Sequence, residues 1–504
     1  MTSVSRRKAH KITPMKKRSS IISFLLLLIF VVPAICPVAA QKAKNNIHGR
    51  TERIKRVENG LLPPVIIKGQ PVAVMNIAER MEFYKIPGVS IAVINGGKIE
   101  WARGYGVNRA GTDERITPET LFQAASISKP VAAIAGLRLV EQGKINLDSD
   151  INERLVTWKV PENEFTREKK VTLRRILSHG AGLTVHGFGG YAMNESVPTV
   201  TQILNGEKPA NSGPVRVDIA PGTLWRYSGG GFTIFQQVLQ DVTQKAFPAL
   251  MQDMVLKLAG MHHSTYQQPL PESLRPQAAS GHDSKGKTVA GDFHVYPEMA
   301  AAGLWTTPSD LARFAIEVQK SFLGKSNKLL SKKMTGQLLT VQNGEWGLGL
   351  KLDGKGEALR FGHNGANEGF QCLMIAYNRT GQGAVIMTNS DNGGQLGGEL
   401  ILAVAREYGW ADYAPIEKTL AKVDPVAYDP YVGEYEFSPS FKLTVTREVD
   451  KLFAAAVGER FELLPESETR FFTLSDISIE FVKDFGGKVT HLLLNKTNRG
   501  KKIK

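Results

Sequence analysis

The stretch Ser126-Ile127-Ser128-Lys129 is followed by Pro130 to Gln142, which has the apolar periodicity of a helix and stops at Gly143. Proline is tolerated in the first turn of a helix, where an N–H group would have no intrahelical partner. The pattern therefore predicts Ser126 at or just before a helix N-terminus. Lys129 follows three residues later on the same face, so a hydroxyl nucleophile can stand beside its own base. Free backbone N–H groups at such a terminus can receive developing negative charge.

The Ser-x-x-Lys spacing alone is weak evidence, because it occurs three times in the chain. Ser5–Lys8 lies in a basic N-terminal arm, and Ser284–Lys287 lies in a polar stretch that no helical pattern follows. The copy at Ser126 differs, since it follows a predicted strand region and begins a long helix. This context favours a functional role for Ser126 and Lys129.

The first forty residues have the pattern of a signal peptide. A basic arm without acidic residues leads into an apolar run from Ile21 to Val32, and Val38-Ala39-Ala40 fits a cleavage site. Residues 1–40 therefore predict a Sec-type signal and an exported protein, either periplasmic or secreted. The alternative is an uncleaved anchor, for which the run is shorter than the ~20 apolar residues that a span needs.

The charge of the chain bears on its partners. Residues 1–40 hold seven of the 63 basic residues and none of the 48 acidic ones, so their removal lowers the net charge from +15 to +8. A basic C-terminal cluster between Lys496 and Lys504 predicts a frayed, solvated tail, with weak association to anionic envelope polymers or lipid as the alternative. No motif supports nucleic-acid binding.

Cys36 falls in the signal, so Cys372 alone remains, which excludes a disulfide framework and a cysteine-based metal site.

At 504 residues the chain predicts two or more folded units. We expect a linker over 41–71, a first domain over 72–412, a second linker over 413–425 and a small all-β domain over 426–504. In the first domain the patterns predict a helix at 72–84, strands at 89–94, 98–107, 370–377 and 384–389, and a helix at 395–408.

The simplest arrangement of these elements is an α+β fold. Its antiparallel sheet is assembled from both ends of the domain and flanked by the N- and C-terminal helices, with a mostly helical region inserted between them. The last domain shows short alternating runs between turns, which predict a small barrel-like meander. These runs cover 434–437, 442–445, 451–457, 477–482 and 489–494.

Two further segments can complete a site around Ser126. Tyr227 precedes Gly229, Gly230 and Gly231, so its phenol can protrude where the backbone packs closely. A tyrosine beside a cationic lysine can act as a base; the alternative is a turn aromatic that packs on the surface.

The second segment is Phe361-Gly362-His363-Asn364-Gly365-Ala366, directly before a predicted strand. Its glycines permit close approach to a ligand, and His363 would place a polar, partly cationic group beside the nucleophile. The alternative for a lone histidine is a structural role.

In this order the three segments resemble the serine β-lactamase and penicillin-binding protein superfamily, in which Ser-x-x-Lys is a motif. The chain is most similar to the β-lactamase-related hydrolases that group with class C enzymes, DD-carboxypeptidases and esterases. The resemblance covers about residues 72 to 410, and the C-terminal unit resembles the lipocalin-like modules of some of these hydrolases. Other segments that look like family landmarks are Ile86-Pro87-Gly88-Val89-Ser90, Leu177-Ser178-His179-Gly180-Ala181-Gly182-Leu183, Pro221-Gly222 and Gly303-Leu304-Trp305-Thr306-Thr307.

The resemblance implies roles for the site residues. Ser126 would be the acyl-forming nucleophile, and Lys129 and Tyr227 would share the proton transfer, with the identity of the base left open. The backbone N–H groups of Ser126 and Ala366 would form the oxyanion hole, and water would hydrolyse the acyl-enzyme without a metal or cofactor. The substrate would contact His363, Asn364, Gly365 and Gly229. His179 is interpreted as structural rather than as a base.

Two departures from the family pattern bear on the substrate. Gly229 stands where the family carries an asparagine that touches the substrate's acylamide, and His363 stands where many relatives carry lysine. Both changes favour ester or peptide chemistry on a less anionic substrate. The sequence therefore predicts a serine hydrolase that cleaves an ester, amide or D-amino-acid peptide bond in a small molecule or peptide. The alternatives are a true β-lactamase or DD-peptidase, and a weakly catalytic penicillin-binding-like receptor or scaffold.

Overall fold

Strand Gly88–Asn95 is buried at every residue except Asn95, which is typical of a strand covered on both faces. In the computed structural model of the chain this strand lies inside a six-stranded sheet. Val89, Ile91 and Val93 pack into one hydrophobic core, whereas Ala92 and Ile94 pack into a second core on the opposite face. Successive side chains of a strand alternate between faces, so one short segment joins both cores.

The structure describes residues 49–439, 441–456 and 459–504, so the predicted signal peptide over 1–40 lies outside it. The helices are α1 (49–58), α2 (Ile77–Phe83), α3 (Ser128–Glu141), α4 (Leu173–Leu177), α5 (Val200–Asn205), α6 (Gly229–Thr243), α7 (Phe247–Met251), α8 (Lys257–Ala259), α9 (Met299–Ala302), α10 (Pro308–Phe322), α11 (Lys332–Leu338) and α12 (Gly393–Tyr408). The strands are β1 (Val65–Ile67), β2 (Gly88–Asn95), β3 (Lys98–Gly106), β4 (Phe122–Gln123), β5 (Trp305–Thr306), β6 (Lys351–Asp353), β7 (Arg360–Asn367), β8 (Phe370–Tyr377), β9 (Gly383–Thr388), β10 (Ile416–Lys418), β11 (Gly433–Ser438), β12 (Phe441–Glu448), β13 (Lys451–Ala456), β14 (Glu459–Pro465), β15 (Arg470–Phe472), β16 (Ser478–Lys483), β17 (Val489–Leu494) and β18 (Asn498–Lys502).

The sheet is assembled from both ends of the first domain. Its strand order is β3-β2-β9-β8-β7-β6, and the two ends meet where β2 pairs antiparallel with β9, with Val89 opposite Thr388. Helices α2 and α12 cover one face, and Arg80 of α2 donates a hydrogen bond of 2.9 Å to the buried Glu399 of α12. This arrangement confirms the predicted α+β fold. Helix α2 begins at Ile77 rather than at the predicted residue 72, because the Asn76 side chain caps it.

Helix α3, which follows Ser126, lies at the centre of the helical region. The sequence predicted an apolar side, but Ala132, Ala133 and Gly136 on its other sides are buried as well. A Cβ at Gly136 would lie 2.6 Å from the Phe235 ring, so glycine allows α6 to pack directly against α3. The start of α3 is therefore held by tight packing around the whole helix.

The C-terminal strands β11 to β18 close into an eight-stranded barrel. Five of these strands were predicted as alternating runs, whereas β14, β15 and β18 were not. The interior is filled by side chains, and the Tyr431 ring stacks on Phe481 with centroids 4.2 Å apart. The buried residues are Tyr428, Tyr431, Tyr435, Leu443, Val445, Leu452, Ala454, Leu463, Phe471, Ile479, Phe481, Val489 and Leu492. The predicted small all-β unit is confirmed as a closed, filled barrel.

Short backbone contacts join the barrel to the first domain. Strand β1 pairs in parallel with β10, so segments from the two predicted linkers lie side by side. The Val65 N–H donates to the Leu474 carbonyl at 3.3 Å, and the Ala421 N–H donates to the Pro465 carbonyl at 2.9 Å. Within the described ranges, no helix combines the length and apolar character needed to cross a membrane.

Candidate active site

Ser126 lies in a single turn of 3₁₀-helix, Ala125–Ile127, that leads directly into α3. Ala125 has a left-handed backbone with φ of 49°, a conformation that costs about 1–2 kcal/mol for a residue with a Cβ. Strand β7 passes very close to this turn, since a Cβ at Gly365 would lie only 2.2 Å from the Ala124 carbonyl oxygen. Glycine at 365 therefore allows the strand to lie against the nucleophile turn.

Lys129 reaches back to Ser126 from the first turn of α3. Its Nζ donates to Ser126 Oγ at 3.0 Å and to the Ala301 carbonyl of α9 at 2.9 Å. The side chain is buried, and in the described part of the chain it makes no ion pair. An amine placed against a hydroxyl, without a carboxylate to hold its charge, is suited to proton transfer with that hydroxyl.

Tyr227 completes a group of three. It precedes α6, and Lys129 Nζ lies 4.9 Å from the centroid of its ring. The structure thus brings Ser126, Lys129 and Tyr227 into one cleft.

The side chain of His179 packs against Tyr227, a contact that the sequence interpretation missed. Its ring stacks on Tyr227 with centroids 4.2 Å apart, and its Nδ1 accepts the Ser228 N–H at 3.2 Å. Its carbonyl accepts the Arg226 N–H at 2.8 Å, so the N–H groups of both residues that flank Tyr227 bond to His179. Because Nδ1 is an acceptor, the proton of the neutral ring is on Nε2. Burial, together with the nearby Lys129, lowers the pKa of His179 well below its ordinary value. His179 is therefore a neutral support for Tyr227, not a base.

His363 is also neutral, which corrects the partly cationic group predicted for this position. It is 5% exposed, and burial together with the nearby Lys129 lowers its pKa to about 3. Desolvation penalises the charged imidazole more than its neighbours can compensate. The other predicted residues of β7 lie along the same cleft, with Gly365 buried and Asn364 and Ala366 exposed.

Gly229 has little room for a side chain. It is buried in the first turn of α6, and a Cβ there would lie 3.0 Å from both the His186 carbonyl oxygen and the Phe188 ring. The segment 186–188 would therefore have to shift slightly to admit the asparagine of the family pattern. Gly229 is not among the residues that line the cleft, and it offers no side chain to a substrate.

The cleft has a volume of about 730 Å³ and an aromatic side. Trp346, Trp225, Phe188 and His186 line it together with Tyr227. The sequence interpretation did not include Trp346, although Asn343-Gly344 just before it is a turn signal that could have marked the segment. In the described residues no group of three or more His, Cys, Asp or Glu side chains is placed to hold a metal ion.

Comparisons with known proteins identify the family of the chain. The family described as "Beta-lactamase" matches residues 75–407, and a domain of unknown function, DUF3471, matches residues 417–503. Penicillin-binding protein 4* of Bacillus subtilis (strain 168) is 23% identical over 413 residues, which are 78% of this chain and 88% of that protein. Protein flp of Staphylococcus aureus (strain MRSA252) is 24% identical over 321 residues, and the match spans 60% of each chain.

Solved structures share the fold. The octameric penicillin-binding protein homologue from Pyrococcus abyssi superposes with a TM-score of 0.58 at 22% identity, over 84% of this chain and 98% of that one. D-alanine carboxypeptidase AmpC from Burkholderia cenocepacia superposes with a TM-score of 0.52 at 20% identity, over 66% of this chain and 96% of that one.

Proposed function

Because this chain belongs to the beta-lactamase family of serine hydrolases, we propose that it cleaves an ester, amide or D-amino-acid peptide bond through an acyl-enzyme on Ser126. The observation that carries the proposal is the 3.0 Å hydrogen bond from buried Lys129 to Ser126 Oγ. A nucleophilic hydroxyl needs a neighbouring base, and this lysine has no carboxylate among the described residues to fix its charge.

The proposed reaction has two steps. In the first, Ser126 Oγ attacks the substrate carbonyl while Lys129 and Tyr227 take its proton and pass it to the leaving oxygen or nitrogen. The backbone N–H groups of Ser126 and Ala366 stabilise the oxyanion. In the second, the same pair activates a water molecule that releases the acid and restores Ser126.

The electrostatics of the cleft favour a substrate with little negative charge. His363 is neutral, and the two cations further along the cleft are paired. Lys351 lies 3.1 Å from Glu345, and Arg360 is bound to Asp353. A substrate carboxylate would therefore compete with an existing ion pair for its partner. The cleft therefore favours esters and uncharged amides over β-lactams as substrates.

The proposed setting is outside the cytoplasm, on the basis of the signal pattern over 1–40. There the basic tail near Lys504 would give at most a weak attraction to anionic envelope surfaces.

The test is intact-protein mass spectrometry after treatment with a fluorophosphonate or a penicillin. We expect a fluorophosphonate adduct on Ser126 that is absent from Ser126→Ala. Ser128→Ala is the matched control, because Ser128 lies two residues away and is buried with its Oγ accepting the Leu304 N–H. A long-lived penicillin adduct would instead favour a penicillin-binding relative. No adduct with either reagent would overturn the proposed function in favour of a binding protein.

A further inference from the structure

We infer that the cleft contains a leaving-group subsite, an aromatic wall made of Tyr227, Trp346 and Trp225 that accepts an uncharged aryl or alkyl alcohol or amine. The inference rests on the proposed function and adds the chemical class of the group released. It is carried by the arrangement of the rings, by the position of the proton donors and by the charges around them.

The wall is continuous from the nucleophile to the outside of the protein. The Tyr227 and Trp346 ring centroids are 5.8 Å apart, and those of Trp346 and Trp225 are 6.0 Å apart with an interplanar angle of 24°. Trp225 is 43% exposed, and its neighbour Leu224 is 58% exposed. An apolar surface that starts at the reacting atoms and ends in solvent suits a group that enters and leaves along it.

Hydrogen bonds hold the backbone segments that carry the two tryptophans before any ligand binds. Trp346 closes a turn in which its N–H donates to the Asn343 carbonyl at 2.9 Å, and the Asn343 N–H donates back to the Trp346 carbonyl at 3.3 Å. The Asn343 amide also donates to the Leu224 carbonyl at 3.4 Å, which ties this turn to the segment that carries Trp225. A preorganised surface loses little conformational freedom when it binds a ligand.

The leaving group must face this wall. During acylation the bond from Ser126 Oγ to the acyl carbon forms and the bond from that carbon to the alcohol oxygen or amine nitrogen breaks. The proton lost by Ser126 passes through Lys129 and Tyr227 to the departing atom. A proton donor has to lie within hydrogen-bond reach of the atom it protonates, so the departing group lies on the Tyr227 side, where Trp346 and Trp225 follow.

The charges around the wall disfavour a charged leaving group. An anionic group would find no free cation, because Lys129 serves Ser126 and the other cleft cations are paired with carboxylates. A cationic group would need a free carboxylate, but Glu345 and Asp353 near the wall are already paired with Lys351 and Arg360. His179 and His363 add no charge to the surroundings. An apolar ring or chain is the class that remains.

The experiment measures equilibrium binding to Ser126→Ala, which needs no turnover. The ligands are benzyl acetate, ethyl acetate and 4-(acetoxymethyl)benzoate, which share the acetyl group and differ in the alcohol. We expect benzyl acetate to bind about tenfold more tightly than ethyl acetate, as expected for one added aromatic contact. The carboxylate of the third ligand should remove that gain. Adding Trp346→Ala or Trp225→Ala should bring benzyl acetate close to ethyl acetate and leave ethyl acetate within twofold.

Phe485→Ala is the matched control, because this ring is fully exposed on a hairpin of the barrel and should change none of the affinities. Equal weakening of the benzyl and ethyl esters by Trp346→Ala, or tightest binding of the carboxylate, would overturn the subsite. Undetectable binding of benzyl acetate would do the same. A benzyl preference in Ser126→Ala, combined with no turnover by the unsubstituted protein, would leave the subsite standing and overturn the proposed function.

Discussion

Two lysine–tyrosine pairs in this molecule have almost the same geometry and different surroundings. In the cleft, Lys129 Nζ lies 4.9 Å from the Tyr227 ring centroid. On the barrel, Lys483 Nζ lies 5.3 Å from the Tyr431 ring centroid. The barrel lysine is bound to Glu468 at 3.0 Å, and this contact raises its pKa. The cleft lysine is bound instead to a hydroxyl and a backbone carbonyl. We therefore expect the reactivity of such a pair to depend on its partners rather than on the pair itself.

The cleft and the barrel also differ in their buried polar atoms. Buried side-chain atoms without a hydrogen-bond partner include Nε2 of both His179 and His363, beside the cleft. The described residues of the barrel strands contain none, and their interior is almost entirely apolar. Unsatisfied buried polar groups cost stability, so such an atom beside a cleft is a candidate for a functional role. The same condition also occurs away from the cleft, for example at Asn378 and Trp410. The barrel therefore differs from the first domain as a whole and not only from the cleft.

The sharpest test of this contrast removes each lysine amine. Lys129→Met keeps the length and apolar stem of the side chain but deletes the group that touches Ser126. We expect kcat/KM for an ester to fall about 10⁴-fold, the upper range for loss of a general acid–base group. Lys483→Met should leave kcat/KM within twofold, since it removes only a partly exposed ion pair. Comparable losses in the two variants would contradict the assignment.

Removing each tyrosine hydroxyl is the next test. Tyr227→Phe should lower kcat/KM about 10³-fold with little change in stability, because the phenol works in proton transfer. The barrel hydroxyl of Tyr431 instead donates to the Glu468 carbonyl at 2.9 Å in a buried position. Tyr431→Phe should therefore leave kcat/KM unchanged and lower the free energy of unfolding by about 1 kcal/mol. Urea titration measures the second quantity.

A third comparison uses two glycines that lack room for a side chain. A Cβ at Gly365 would lie 2.2 Å from the Ala124 carbonyl oxygen, whereas a Cβ at Gly500 would lie 2.7 Å from the Phe437 ring. The first contact is with backbone and cannot relax without moving the Ser126 turn. Gly365→Ala should lower kcat/KM about 10²-fold, since a shift near 1 Å is enough for such a loss. Gly500→Ala can be relieved by a movement of Phe437, so it should leave activity intact and lower stability by about 1 kcal/mol. If both variants keep full activity, the close approach of β7 to the nucleophile is not required.

The sequence predicted those parts of the site whose structure is set by residues close together in the chain. The helix after Ser126, the hairpin of β2 and β3 and the position of β8 all follow from periodicity and turn residues. The stacking of His179 under Tyr227 and the position of Trp346 depend on segments far apart in the chain. No periodic signal links such segments, so tertiary packing alone decides their contacts. For the same reason the sequence around Gly229 did not show that residues 186–188, far away in the chain, pack closely against this glycine.

The charge of His363 is the clearest example of a property that the sequence could not predict, because a sequence does not reveal how far a residue is desolvated.

The last prediction tests the charge of His363 by measuring how the stability of the protein depends on pH. The folded protein holds His363 with a pKa of about 3, below the ordinary value of 6.5 that applies in the unfolded chain. As the pH falls, the unfolded chain takes up the proton first. The contribution of neutral His363 is therefore fully present above pH 6.5 and is lost progressively between pH 6.5 and pH 3, by about 2 kcal/mol at pH 5.

His363→Gln should be less acid-sensitive than the unsubstituted protein, because glutamine does not titrate. We expect its free energy of unfolding to fall by about 2 kcal/mol less between pH 7 and pH 5. His491 is the matched histidine of the barrel, with much more solvent around it, and its Nδ1 lies 2.8 Å from Thr490 Oγ1. His491→Gln should leave the acid dependence close to that of the unsubstituted protein, and His363→Asn repeats the test if the glutamine variant folds poorly. Equal acid sensitivity of both His363 variants and the unsubstituted protein would mean that His363 keeps a pKa near 6.5 in the cleft. The imidazole would then be cationic below that pH and available to a substrate carboxylate, and the preference for uncharged substrates would lose its main support.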